Sequence, residues 1–328
     1  MFFKKRKSEK KEKPVTWKRI VLKSAILGTV AMTLGVGAGF GVYYFVEKSK
    51  GGDYSNVDVA AITDDLGKAQ EKYNSAKRSG TPLESALKPS EMVNVALAKF
   101  SALESSKTIG LGKATAANVD QIIQSIQIRD GDLYFEESNS ESSVVKLYDR
   151  MYQEGETTSC YWGQSLEYSK NEKKEYSNSD YADLMGRNVS DCMIYVISSK
   201  TTITKEETAK KLSGKGASKI QKEGNGYTVD LELNPQKAVV NYVKQMKNIS
   251  GLKDYPAFSY CHLTFHLSED LMPIDFTSYE KYNATKQSMP IPVEITGSLT
   301  TYFYTEGGYK IPGLGDETQS EYKTLSAQ

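Results

Sequence analysis

The chain has 328 residues, 39% of them hydrophobic and 25% charged, with a formal net charge of +1. That near-zero total hides a division: residues 1–23 hold ten Lys/Arg against Glu9 and Glu12, so residues 24–328 carry a net charge of −7. A mildly acidic bulk is not a polyanion binder, and no nucleic-acid partner is expected.

The first element is the basic tail. Its cations, led by Lys4, Lys5, Arg6 and Lys7, are expected to lie along an anionic inner leaflet, each contributing up to about 1 kcal/mol. Ser24–Val46 follows, 23 residues without a charge. At 1.5 Å per residue this run crosses the ~30 Å hydrocarbon core. Its glycines do not make a dinucleotide loop: G-x-G-x-x-G fails in both registers, at Phe40 and at Val42. Tyr43, Tyr44 and Phe45 give an aromatic edge at interface depth. The excess of Lys/Arg before the span places the N-terminus in the cytoplasm and the C-terminal domain outside the cell membrane. No A-x-A site follows, so the segment reads as an uncleaved single-pass signal anchor. Ala31, Gly35 and Gly39 repeat every four residues, a small-residue face that lets a second helix approach and predicts a homodimer contact.

Val59, Ile62, Leu66, Ala69, Tyr73 and Ala76 recur at 3-4 spacing, a helix with one apolar stripe. The stripe fits either packing on its own domain or a stalk pairing with a second copy. Thr81-Pro82-Leu83-Glu84 predicts a capped turn, and a helix from Ser90 to about Glu104 presents Val93, Leu97, Phe100 and Leu103.

The period then changes to two. Strands are predicted at Ile122–Ile128, Leu133–Glu137, Val144–Tyr152, Thr157–Trp162 and Asp191–Ser198, with a hairpin turn at Asp130–Gly131. A polar loop or short helix covers Lys170–Asp183, and Thr204-x-x-Glu207 starts a helix ending near Gly214. Asn225–Gly226 predicts a turn into a strand whose Tyr227, Val229, Leu231 and Leu233 share one face. Asn234-Pro235 opens a helix bearing Val239, Tyr242, Val243 and Met246. Phe258–Leu267, Ile274–Tyr282 and Leu299–Thr305 complete the strands. The plan is α+β: a transmembrane helix, then an ectodomain built on a curved antiparallel sheet covered by helices. The expected organisation is a cytoplasmic tail (1–23), an anchor (24–46), a juxtamembrane helical stalk (47–89), an extracytoplasmic domain (90–315) and a flexible tail (316–328).

The order of a helix, a long meander, "YTVDLELNP" leading into "AVVNYVKQM", and the late hairpin "HLTFHLSEDLMPIDFTSYEKY" resembles the LolA/LppX/LprG group of bacterial envelope proteins over about residues 90–305. That resemblance implies a half-barrel closed by helices, with an acyl chain or other hydrophobic ligand in the hollow. The lining residues expected for it are Phe100, Val229, Leu231, Leu263, Phe265, Leu299 and Phe303; the same positions also describe a solid core. This chain departs from the group in having a spanning anchor where the group has a lipidated cysteine or a cleaved peptide.

No catalytic constellation assembles. Gly163-Gln164-Ser165-Leu166-Glu167 lacks the closing glycine of a nucleophile elbow, and Gly214-Lys215-Gly216 lacks the rest of a P-loop. Glu136–Glu137, if in a strand, point to opposite sides. His262 and His266, the only histidines, fall on one strand face about 13 Å apart, too far for one ion, and are expected to be exposed. Cys160, Cys192 and Cys261 allow one disulfide with a free thiol, or three buried thiols. The expectation is a binding protein, not an enzyme, with no cofactor and no metal. The alternative is an envelope component that self-associates without a small-molecule ligand.

Overall fold

A computed structural model describes residues 59–116, 118–143, 146–185, 202–234, 256–284 and 293–326. The tail cations Lys4–Lys7, the apolar run 24–46 with Ala31, Gly35 and Gly39, the strand expected at 191–198 with Cys192, and the helix expected after Pro235 lie outside these residues. Among the described residues no helix is long and apolar enough to cross a membrane.

The expected α+β class is observed. Among the described residues three helices come first: α1 (Val59–Ser79), α2 (Leu83–Ala86) and α3 (Pro89–Ser101). Six strands follow as a meander: β1 (Ser105–Ala116), β2 (Val119–Asp130), β3 (Leu133–Ser142), β4 (Lys146–Glu154), β5 (Thr157–Gly163) and β6 (Glu172–Ser177). Helices α4 (Asn178–Met185) and α5 (Glu206–Ser213) precede β7 (Lys219–Glu223) and β8 (Gly226–Leu233). Then come β9 (Ala257–Ser268), β10 (Pro273–Ala284), β11 (Val293–Tyr304) and a C-terminal helix α6 (Gln319–Ser326). The strands form one open antiparallel sheet of eleven in the order β6-β5-β4-β3-β2-β1-β11-β10-β9-β8-β7. The last strand thus closes beside the first, with Gly110 opposite Thr301 and Gly112 opposite Leu299.

Helix α3 starts where Pro89 fixes φ at the first helical position and Glu91 accepts the Lys88 N–H at 2.8 Å. The capping bond expected from Thr81 is not made: Pro82 stands at the N-cap of α2, and the Thr81 hydroxyl bonds Ser79 instead. Met92, Val93, Leu97 and Phe100 of α3 are buried against the sheet core, and α1 lies over α3 with Ala69, Ala76 and Tyr73 joining the same cluster. The C-terminal half of the α1 stripe, Ala69, Tyr73 and Ala76, thus packs on its own domain. The turn expected at Asn225–Gly226 sits one residue earlier, on Gly224–Asn225, where Gly224 supplies φ +56°.

The tail past Gly315, expected to be loose, is fastened. Tyr322 and Leu325 of α6 are buried among Ile109, Ile126, Ile128 and Phe135 on the sheet face opposite α3. Glu137 accepts hydrogen bonds there from Thr318 (2.6 Å), Tyr322 (2.9 Å) and Asn139 (2.9 Å). Arg150 donates to Glu137 at 2.6 Å and to the carbonyls of Gly313, Leu314 and Asp316. Its guanidinium also lies 3.9 Å from the centre of the Tyr168 ring. A short polar tail has too little apolar surface to dock on its own; buried charge-assisted bonds hold it.

Candidate functional site

Strand alternation assigns each side chain to a face. On β8–β11 the face under α3 carries Val229, Leu231, Leu263, Phe265, Phe276, Leu299 and Phe303. All seven side chains expected to line a hollow, including Phe100 of α3, fall into one buried cluster. An aromatic series crosses it: Phe265 stacks on Phe276 at 4.8 Å, Phe276 lies 5.9 Å from Phe303, and Phe303 meets Phe100 edge-on at 4.9 Å.

The same face changes character at β1. Gly110, Gly112, Ala114 and Ala116 form a floor of small residues in the middle of the sheet. Space over it is taken by neighbours: a Cβ at Gly112 would lie 2.5 Å from the Ser298 carbonyl oxygen and 2.7 Å from Leu299 Cδ1. Beyond β1 the face turns polar. One row runs Thr301, Gly110, Ser125, Ser138, Asp149, Trp162 across β11, β1, β2, β3, β4 and β5. The next runs Gln127, Glu136, Met151, Cys160.

Several polar groups on this face are buried without a hydrogen-bond partner: Ser278 Oγ, Thr301 Oγ1 and both polar ends of the Gln127 amide. Native interiors leave few such groups, because each forfeits its hydration for nothing. Burial, and next the charges of Glu136 and Glu137, push the Asp149 carboxyl up to about 8. Asp149 nonetheless keeps partial solvent access, and its neighbour Trp162 is 41% exposed, so this end of the face is reached from outside. Cys160 lies in the same group with its thiol pushed up by burial and then by Asp149.

Glu136 and Glu137 do point to opposite faces, one in the polar row and one to Arg150. His266 is exposed as expected, but His262 is buried. The correction has a local cause: α5 packs over β9 and shields the residues beneath it. His262 donates from Nδ1 to Glu232 Oε2 at 2.8 Å and from Nε2 to Asp230 Oδ1 at 3.3 Å, while the Ser213 hydroxyl at the end of α5 also donates to Glu232. Alternation of β8 hints at this, since Asp230 and Glu232 share the face of His262, but the covering helix lies about 50 residues before His262 in sequence. Cys160 and Cys261 are free thiols. Ser165, in the near-elbow, accepts the Glu167 N–H at 3.1 Å, and Lys215 of the glycine pair sits 3.7 Å from the Tyr279 ring centre. Among the described residues no three His, Cys, Asp or Glu side chains converge as a metal site.

These elements define an α+β protein whose large open antiparallel sheet carries helices over one apolar half. No protein-family model matches the chain, and no curated protein matches it. Among solved structures the chain is similar to a DUF1329 family protein from Desulfovibrio piger, at 7% identity over 68% of this chain and 93% of that one, with a TM-score of 0.25. At that score the likeness carries no argument.

Proposed function

We propose that the chain is a membrane-anchored, extracytoplasmic binding protein of the bacterial cell envelope that holds a lipid or other hydrophobic ligand against the helix-side face of its sheet. The observation that carries this reading is the unmatched polarity of that face. A solid core would leave no reason for Ser278, Thr301 and Gln127 to be buried without partners. A ligand whose chain lies along Leu299 and Phe303 and whose polar part reaches β2 would satisfy the Gln127 amide. The resemblance to the LolA/LppX/LprG group supports the same reading through the order of helices and strands. The uncharged run 24–46 and the basic residues before it support the anchor and its orientation.

The packed aromatic series implies that α3 moves aside as the ligand chain enters. Its C-terminal end is tied by polar bonds that such a motion would break: Lys99 donates to the Asp270 carbonyl, and Arg129 donates to the Ser101 carbonyl at 2.6 Å.

The test is mass spectrometry of the full chain, extracted from membranes into a lipid-free polymer and washed. One lipid class retained in stoichiometric amount supports the reading, and Leu299→Gln should release it. A chain carrying only the bulk lipid composition, unchanged by Leu299→Gln, defeats it and leaves the self-associating envelope component, held together through the Ala31/Gly35/Gly39 face, as the better description.

A further inference from the structure

We infer that the head of the ligand is uncharged and carries a hydrogen-bond donor beside an acceptor, as a hydroxyl-bearing acyl ester does, and that Gln127 reads it. The inference rests on the binding reading above and adds the chemistry of the head. Gln127 stands on β2 with Thr108 opposite it on β1 and Glu136 opposite it on β3, on the sheet face that carries Leu299 and Phe303. It is only 7% exposed, yet neither Nε2 nor Oε1 has a hydrogen-bond partner among the described residues. The vacancy is double. The amide nitrogen only donates and the amide oxygen only accepts, so one buried side chain lacks an acceptor and a donor at once. Each unmet group forfeits its hydration for nothing. A methionine of similar length would fill the position without that cost, so the amide lowers the stability of the empty fold.

That double vacancy sorts the heads a lipid could bring. A carboxylate, a phosphodiester or a simple ester only accepts; it meets Nε2 and leaves Oε1 bare. A primary ammonium only donates; it meets Oε1 and leaves Nε2 bare. A hydrocarbon meets neither. Adjacent hydroxyls, or a hydroxyl beside an ester carbonyl, meet both. The other orphans on this face are hydroxyls, which donate or accept as required. Ser278 stands opposite Leu299 on β10, and Thr301 shares a strand face with Phe303 on β11, so both border the path assigned to the acyl chain. Ser101 Oγ, on the last residue of α3, is unpaired as well. The carbonyl of Ser101 takes the Arg129 guanidinium at 2.6 Å, and Arg129 shares its face of β2 with Gln127. The orphaned groups therefore run from β10 to β2 past Leu299 and Phe303, and finish beside the end of α3 that moves in the binding reading.

The experiment uses the full chain in phosphatidylcholine nanodiscs, with empty nanodiscs as the blank. Both are equilibrated with an equimolar mixture of isotope-labelled 1-monolauroylglycerol, methyl laurate and laurate, which share one chain and differ in the head. They are then washed and read by mass spectrometry. The expected result, relative to the blank, is retention of monolauroylglycerol at least about tenfold above either competitor. In Gln127→Met that preference should shrink to within about twofold. The urea midpoint of Gln127→Met without added probe should stay equal or rise, since an orphaned amide has been removed. A fall in that midpoint would show that the amide has a partner in the fold, and overturns the inference. Equal retention of monolauroylglycerol and methyl laurate, or a preference that survives Gln127→Met, overturns the head-group assignment and leaves the hydrophobic-ligand reading standing. Laurate retained above the other two also overturns it, in favour of an anionic head. No probe retained above the blank removes both.

Discussion

Arg150 and Glu137 face each other across β3 and β4 at 2.6 Å with 1% and 0% of their side chains exposed, and between them they hold the C-terminal segment to the sheet. Burial alone would lower the guanidinium's proton affinity; the charge and hydrogen bond of Glu137 reverse that, so Arg150 stays charged. Tyr322 is held protonated by burial and then by the same Glu137, which keeps its hydroxyl a donor. Replacing Arg150 by Met strands a buried carboxylate and frees three carbonyl groups. The expected cost is about 3–5 kcal/mol. It is read by urea unfolding, together with faster protease cleavage after Lys310 or Lys323. Unchanged cleavage alongside a lower midpoint would show that the tail is held by Tyr322 and Leu325 alone.

The His262 cluster makes stability depend on pH. Burial lowers the imidazole's affinity for a proton, but its bonds to Asp230 and Glu232 outweigh this and leave it above the ordinary value. A raised folded value means the stabilisation is complete below about pH 6.5 and is lost as the pH rises through the folded value. Asp230 runs the other way. Burial raises it, bonds from His262 and Thr264 lower it further, and its contribution disappears only on acidification below its ordinary range. Thermal unfolding should therefore move to lower temperature between pH 6 and 9. In His262→Gln the midpoint should be lower at pH 6 and nearly flat above it, whereas His266→Gln, at an exposed site, should keep the wild-type slope. Parallel profiles for all three proteins would contradict this account.

Two glycines should respond in opposite directions. At Gly112 a Cβ meets the Ser298 carbonyl at 2.5 Å, so Gly112→Ala should destabilise the β1–β11 seam by roughly 1–3 kcal/mol. Gly67 lies inside α1 with nothing within 4 Å of an added Cβ, and Gly67→Ala should stabilise by about 0.5–1 kcal/mol. Chemical denaturation of both variants tests the pair, and a neutral Gly112→Ala would mean that β11 can shift without penalty.

The thiols should be slow to alkylate. Cys261 is fully buried, its Sγ–H reaching Glu280 at 3.9 Å, and burial followed by the Glu280 charge drives its thiol well above the ordinary value. In a Cys192→Ser background, iodoacetamide at pH 7.5 should leave Cys261 unmodified until the chain is unfolded, and Cys160 should react more slowly than free cysteine. Rapid labelling of native Cys261 would show that β9 opens locally.

The legible parts of this fold are those where pattern and burial coincide. Tyr227–Leu233 alternates cleanly because one face is core and the other is shared with water, and its strand came out within a residue. The burial of Val229, Leu231, Leu263, Phe265, Leu299 and Phe303 was legible for the same reason. Strand β1 was not: its core-facing residues are Gly110, Gly112, Ala114 and Ala116, which carry no hydrophobic alternation although they occupy the middle of the sheet. The edge strand β6 reads as part of a polar loop or short helix because charge at an edge guards against pairing with another chain. The Asp149–Trp162 pairing and the Arg150 clasp depend on register and on a tail some 160 residues away, and no local window contains them.

The closing of β11 beside β1 has a consequence for how the chain is made. During synthesis β1–β6 can zip together early, yet the central seam must wait until almost the whole polypeptide has appeared. Through that interval β1 offers an open hydrogen-bonding edge whose helix-side residues, Gly110, Gly112, Ala114 and Ala116, are all small. Such distant pairing slows maturation and leaves a window in which a nascent chain could pair with its neighbour.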